Sequence, residues 1–246
     1  MDIYPSIELL DGRCVSLHRG RIEEPQIWHV NPVEKARSFA DAGASWVNVT
    51  DFDAIAGDDR NTDLIQDIIQ QSGTSIQLGG GFKSLHRISD WIDRGAGRIV
   101  IGTLAVIAPD IVKQAAKSYP DQIVLSVDIY KGSVMSDGWR TPSAIEPEAF
   151  IRTFKSDPLA AIIVTDIDAD IDMAEAPLAL VTELAGIASA PVIARGLSRT
   201  LDDLARLKYV PHVAGALIGR SLFDHTIDLS QALDLAQVQD ETAAFI

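Results

Sequence analysis

Gln77-Leu78-Gly79-Gly80-Gly81-Phe82 follows the strand-like pair Ser75-Ile76 and precedes Ser84-Leu85-His86-Arg87-Ile88, which carries a helix-start signature. A strand running into consecutive glycines and then a helix leaves backbone N–H groups facing outward with no side chain in the way. Such a turn suits an anion. A glycine triplet on its own is more often a tight turn, but here the pattern returns. Pro191-Val192-Ile193-Ala194-Arg195-Gly196-Leu197-Ser198 has the same shape and also runs into a helical pattern, Thr200-Leu201-Asp202-Asp203-Leu204.

That echo belongs to a series. Val49-Thr50-Asp51-Phe52-Asp53-Ala54 returns as Val164-Thr165-Asp166-Ile167-Asp168-Ala169, an offset of 115 (49 to 164). Gly80 maps onto Gly196 (offset 116), Ile101-Gly102-Thr103-Leu104 onto Ile218-Gly219-Arg220-Ser221 (117), and Glu8 onto Asp128 (120). Four matches in one order at nearly one spacing describe a duplicated half, with half-units of roughly 1–120 and 121–246.

Short β-branched runs alternate with helix-period segments along the whole chain. The runs are Ile3–Leu9, Trp46–Val49, Ser75–Leu78, Arg98–Ile101, Ile123–Val127, Ala161–Val164, Pro191–Ile193 and Gly215–Ile218. Between them lie Pro32–Ala42, Thr62–Gln71, Leu85–Arg94, Pro109–Ser118, Glu146–Phe154, Pro177–Ile187, Thr200–Leu207 and Leu222–Ala236. Alternation of this kind predicts a parallel sheet closed into a (β/α)₈ TIM barrel over residues 1–246, with an open doubly wound sheet as the runner-up. The twofold repeat favours closure, since each half alone leaves two sheet edges unpaired. Two long loops, Gly12–Asn31 and Tyr130–Ile145, follow the first and fifth runs. Both fall after strand C-terminal ends, the face where barrels build their sites.

Composition narrows the function classes. With 47% hydrophobic residues the chain can bury a sizeable core. A net charge of −14 argues against a nucleic-acid partner. No apolar run reaches the ~18 residues of a membrane span, and no basic, apolar leader opens the chain. Cys14 is the single cysteine, which suits a reducing cytoplasm. His18, His29, His86, His212 and His225 lack metal-ligand spacing, so neither metal nor cofactor is expected. A monomer is expected, because no apolar stripe or heptad pattern calls for a partner.

In a barrel, residues at strand C-termini face one mouth. Glu8 and Asp128 would stand on the first and fifth strands across it, a placement suited to paired general acid and base work. Asp170, after the sixth strand, is a third candidate. Gly80-Gly81 with Gly102-Thr103 form one phosphate cradle, and Gly196 with Gly219-Arg220 form the other, where barrels commonly hold phosphate. Two anion sites flanking two carboxylates predict a substrate with a phosphate at each end and proton transfer without a cofactor.

These residues carry a resemblance that runs nearly end to end. Pro5-Ser6-Ile7-Glu8-Leu9-Leu10-Asp11-Gly12, Gln77-Leu78-Gly79-Gly80-Gly81, Ile101-Gly102-Thr103, Ser136-Asp137-Gly138-Trp139, Thr165-Asp166-Ile167 and Ile218-Gly219-Arg220-Ser221-Leu222 resemble the phosphoribosylformimino-5-aminoimidazole carboxamide ribotide isomerases of histidine biosynthesis. The wider family includes a related cyclase and dual-substrate isomerases. The resemblance implies an Amadori rearrangement of a phosphoribosyl aminoaldose (ProFAR) to its aminoketose. It puts Glu8 at the position of the base, Asp128 and Asp170 at positions of acid or supporting roles, and Trp139 on a loop aromatic that stacks on the heterocycle. Several positions depart from the pattern. Glu8 replaces the usual Asp, Arg195-Gly196-Leu197 stands where two glycines are usual, and Ala169-Asp170-Ile171-Asp172 replaces Arg-Asp-Gly-Thr. Arg19 stands for the common Gln and could contact substrate, as could Arg195, while Ser16 stands where an Arg is frequent. Alternative readings are a paralogue acting on another sugar phosphate and a non-catalytic barrel that binds a phosphate ligand.

Overall fold

The computed structural model describes residues 1–18, 21–168 and 175–237. Among them, eight parallel strands carry the architecture: β1 (Asp2–Leu10), β2 (Trp46–Asp51), β3 (Ser75–Gly79), β4 (Arg98–Ile101), β5 (Ile123–Tyr130), β6 (Ala161–Asp166), β7 (Val192–Arg195) and β8 (Val213–Ile218). They pair in the order β6-β7-β8-β1-β2-β3-β4-β5. A further parallel pairing, Ala161–Asp166 against Val124–Ile129, joins β6 back to β5 and closes the ring. The eight runs expected from sequence are these strands, and the sheet is a (β/α)₈ barrel rather than an open one.

Helices α1 (Pro32–Asp41), α2 (Thr62–Gln71), α3 (Leu85–Asp93), α4 (Pro109–Ser118), α5 (Pro147–Thr153), α6 (Glu175–Ile187), α7 (Leu201–Lys208) and α8 (Leu229–Gln237) lie in the connections. Their starts are written locally. Asn31 accepts from the backbone N–H of Val33 and Glu34 before Pro32, and Ser84 accepts from Arg87. Thr200 and Asp203 form a reciprocal capping box. The expected helix Leu222–Ala236 is instead two pieces, Arg220–Phe223 and α8. Asp224 turns the chain between them by accepting from Thr226, and Asp228 then caps α8 through Gln231.

Side-chain alternation sorts each strand into two faces. Ile7, Leu9, Val47, Val49, Ile76, Leu78, Leu125 and Val127 belong to the main apolar core shared with the helices. Tyr4, Val124, Ile163, Ile193 and Leu217 pack together inside the ring, with Trp46 and Val100 against them. Above this plug runs a polar rung, in which Gln77 Nε2 donates to Asn48 Oδ1 (3.1 Å) and Asn48 Nδ2 to Ser6 Oγ (3.0 Å). Two residues further along, the same inward face offers Glu8, Thr50, Gly79 and Asp128. The interior is thus filled from one end and left open at the other.

The segments expected as long loops, Gly12–Asn31 and Tyr130–Ile145, begin as tight hairpins. β1 folds back on Arg13–Ser16 and β5 on Ser133–Ser136, with Leu10 opposite Arg13 and Tyr130 opposite Ser133. Each turn has two residues, both left-handed: Asp11-Gly12 (φ 51° and 73°) and Lys131-Gly132 (φ 49° and 76°). This backbone matches the twist of paired strands, which is why Asp-Gly is a hairpin signal. The turns are pinned alike. The Asp11 N–H donates to Asp53 Oδ2 at 2.7 Å, and the Lys131 N–H to Asp168 Oδ2 at 2.8 Å. The repeated Asp-x-Asp motif therefore anchors a hairpin in each half.

Two outcomes follow from this packing. A Cβ on Gly80 would lie 2.3 Å from the Asp51 carbonyl oxygen, at a backbone φ of 108°. Gly80→Ala is expected to lower stability by about 2 kcal/mol or more, roughly 4–8 °C in Tm at this chain length; an unchanged melting curve would refute the packing argument. Cys14 is fully buried, and burial pushes its thiol up to about 12 against the opposing Lys35 charge. At pH 8 only ~1 thiol in 10,000 is then ionised, so iodoacetamide should alkylate the native protein at least about a hundredfold more slowly than the unfolded chain. Comparable rates by mass spectrometry would overturn this.

Candidate functional site

The open end of the barrel holds two adjoining cavities. One, of about 140 Å³, is walled by Thr50, Gly79–Gly81, Gly102, Thr103, Ser126, Asp128 and the turn Ser136–Arg140. The other, of about 420 Å³, is walled by Ser6, Glu8, Ser16, Thr165, Gly196, Ser198, Arg199, Gly219, Arg220 and Ser221. Trp139 and Arg195 line both. The two carboxylates expected to share one mouth therefore stand in neighbouring compartments, Asp128 in the smaller and Glu8 in the larger.

Their surroundings differ. Glu8 Oε1 accepts from Arg195 Nη2 at 2.6 Å, and each side chain is 17% exposed. The Arg195 guanidinium also lies over the Trp139 ring, 5.4 Å from its centroid. A charge-assisted bond and a cation–π contact thus use one planar group. Among the described residues, Asp128 faces no cation at this range. Its Oδ2 accepts from Ser126 Oγ at 3.1 Å, while its buried Oδ1 has no hydrogen-bond partner among the described residues. An orphaned carboxylate oxygen at a cavity wall is costly unless a ligand or water meets it. In the other cavity, Thr165 Oγ1 and Ser198 Oγ are buried and likewise unmatched among the described residues.

The glycine turns serve two ends. Gly80 and Gly81 adopt φ of 108° and 71° because they press against Asp51 and Ala54, where a Cβ would meet backbone oxygens at 2.3 and 2.6 Å. Their lack of side chains also leaves the cavity floor bare. Gly102 and Gly219 cap the short helices Thr103–Ile107 and Arg220–Phe223 with closely similar backbones, φ/ψ of −110°/−80° and −111°/−97°. Each half of the barrel thus presents a helix start to its own cavity. A Cβ on Gly102 would come within 3.7 Å of Asp128 Oδ2.

Loops complete the walls. Asp137, Gly138 and Trp139 have φ of 52°, 61° and 69°, a run of left-handed residues that projects the indole over the mouth. The run is fastened where the Asp137 N–H donates to Thr103 Oγ1 at 2.9 Å, so this hydroxyl already has a donor. Arg220 Nη2 donates to the Leu17 carbonyl at 3.0 Å, and Trp28 Nε1 to Ser16 Oγ at 2.9 Å, tying the chain after the first hairpin to the second cavity. Below the rim, Asn61 Nδ2 donates to both Asp51 Oδ1 and Asp53 Oδ2 at 2.8 Å, and its Oδ1 accepts from the Gly12 N–H. Burial pushes the Asp51 carboxyl up, with Asn61 and the Ala54 N–H opposing.

Of the residues singled out from sequence, Glu8, Trp139, Arg195, Gly196, Gly219 and Arg220 line the larger cavity. Gly80, Gly81, Gly102, Thr103 and Asp128 line the smaller, again with Trp139 and Arg195. Arg195 stands between the compartments, with its charge already met by Glu8. Arg19 and Asp170 lie outside the described residues. Sequence reasoning passed over Ser126, Thr165 and Ser198. The strand alternation that selects Glu8 and Asp128 also selects Ser126 and Thr165 as inward residues, and it could have found them.

A family model described as "Histidine biosynthesis protein" matches residues 2–228. A protein of a Ruegeria species named 1-(5-phosphoribosyl)-5-((5-phosphoribosylamino)methylideneamino) imidazole-4-carboxamide isomerase 1 is 51% identical over 244 residues, 99% of each chain. Isomerase 2 of the same name from Ruegeria pomeroyi is 52% identical over 244 residues, again 99% of each chain. A Caulobacter isomerase of that name is 39% identical over 239 residues, covering 96% of this chain and 99% of its own.

Proposed function

The chain belongs to the histidine biosynthesis protein family, and we propose that it catalyses the isomerisation named in its relatives, the Amadori rearrangement of the ProFAR aminoaldose to its aminoketose. The observation that carries this reading at the site is the pair of adjoining cavities, each with a turn glycine, a helix start and an inward strand-end carboxylate, Asp128 in one and Glu8 in the other. A substrate with a phosphate at each end would lay one in each compartment, with its aminated ribose across the boundary marked by Trp139 and Arg195. Backbone N–H groups at Gly102-Thr103 and Gly219-Arg220 suit the phosphates of an otherwise acidic protein.

The chemistry needs one proton given and one taken, and the product keeps every atom of the substrate. Protonation of the ribose ring oxygen opens the ring to an iminium at C1. Loss of the C2 proton then gives the enolamine, which settles as the ketone. Glu8 is the base at C2. Its carboxylate accepts from the Arg195 guanidinium at 2.6 Å, which fixes it at the cavity wall. Asp128, with an unmatched oxygen at the opposite wall, supplies the ring-oxygen proton, and Asp170 is the second carboxyl assigned to that half of the reaction. Trp139 stacks on the heterocycle.

We place the protein in the cytoplasm, where a biosynthetic enzyme with one buried thiol is at home. No described helix is long and apolar enough to cross a membrane. The enzyme acts as a monomer on this reading, since among the described residues the large exposed apolar side chains, Val30, Ile107 and Tyr209, are dispersed along the chain.

Steady-state turnover with the aminoaldose tests the assignment. Wild-type protein should turn over. Glu8→Gln should lose about a hundredfold or more in kcat, and Asp128→Asn at least about tenfold. Near wild-type rates in both variants would remove the proton-transfer roles. Stabilisation by the aminoaldose without turnover would instead mark a non-catalytic binding barrel.

A further inference from the structure

Glu8 is a base on a flexible stem, and its position is only as well defined as its partners make it. Among the described residues its carboxylate has one hydrogen-bond partner, the Arg195 guanidinium at 2.6 Å. Arg195 springs from the end of β7, and β8 lies between β7 and β1, so the side chain spans a strand to reach Glu8. The same guanidinium supports the Trp139 ring at 5.4 Å, and that ring has no other aromatic or cation contact among the described residues. Trp139 rides on three consecutive left-handed residues, which set the backbone of the loop and leave the ring to be steadied by what it touches. Both side chains line both cavities. One planar cation therefore joins the base, the stacking aromatic and the boundary between the compartments.

We propose that Arg195 is a positioning residue of this site. Through one guanidinium it sets the Glu8 carboxylate and the Trp139 ring in a single arrangement, so that the base and the stacking surface are placed together. The proposal rests on the isomerase reading for the reaction it serves, but not for the coupling itself. An arginine fits the task because its rigid fork presents an edge to a carboxylate while its face stacks on an indole. A lysine at that position would keep the charge and lose the plane. Since a displacement of about 1 Å at a reacting group can cost on the order of a hundredfold in rate, the expected effect falls on kcat more than on KM.

The test is a double-mutant cycle with two readouts. Arg195→Met should lower kcat at least about tenfold in the wild-type background, with KM changed less than about threefold. In a Glu8→Asp background, where the shorter carboxylate no longer meets the guanidinium in the same way, Arg195→Met should change kcat less than about threefold. Trp139 emission, taken as the difference between each protein and its Trp139→Phe counterpart, should shift in Arg195→Met and in Arg195→Lys without any substrate. Glu8→Asp should shift that emission when Arg195 is present and leave it unchanged when Arg195 is Met. Additive losses of kcat, wild-type kcat in Arg195→Met, or Trp139 emission indifferent to both positions would each overturn the proposal. If wild-type protein does not turn over the aminoaldose, the isomerase reading fails, and the emission cycle alone decides the coupling. Should Arg195→Met fail to fold, Arg195→Lys and Glu8→Asp carry both readouts.

Discussion

The parallel pairing of β6 with β5, from Ala161 against Val124 to Asp166 against Ile129, is the contact on which the rest depends. Without it, β5 and β6 would each present a row of unpaired backbone groups. With it, the sheet encloses an interior into which only alternate side chains can point. Those chains cannot all be large and apolar, because the ring is narrow and one end is open. The inward face is accordingly graded, from Tyr4 and Trp46 at the closed end, through Ser6, Asn48 and Gln77, to Glu8 and Asp128 at the mouth.

This grading bears on how a strongly acidic chain would hold the anion sites we propose. Glu8 and Asp128 stand at the mouth beside separate cavities, and Asp137, Asp166 and Asp224 also line them. Gly80 and Gly81 are bare because they must pass close to Asp51 and Ala54, and the same bareness leaves N–H groups accessible. Packing requires glycine at these positions, and the binding we propose would ask for the same residue. The repeated Asp-x-Asp motif, by contrast, is spent on architecture, since Asp53 and Asp168 hold the hairpin turns that shape the rim.

The two halves are alike in backbone and unlike in chemistry. Gly102 and Gly219 share a conformation, as do the turns Asp11-Gly12 and Lys131-Gly132. Yet among the described residues Glu8 is met by Arg195 at 2.6 Å, whereas Asp128 has only the Ser126 hydroxyl. Two alike halves supply two similar places for a carboxylate, and single side chains, Arg195 from two strands away and Ser126 on the same strand, give each a different electrostatic setting.

Much of this was legible in the chain itself. Alternating β-branched runs and capped helices specify the eight units, because strand alternation and helix caps are local properties of a few residues. The offsets near 115–120 expose the repeat, and with it the level at which Glu8 and Asp128 stand. Even the hairpins were written in Asp11-Gly12, a two-residue signal that a reading by long segments passes over. Only the tertiary structure decided which groups meet. That Arg195 reaches Glu8, 187 positions away in sequence, and stacks on Trp139, depends on ring closure bringing β7, β8 and β1 side by side. That Glu8 and Asp128 fall in separate compartments depends on a loop aromatic and an arginine meeting between them. Such contacts are set by distance in space, and no local pattern of residues encodes them.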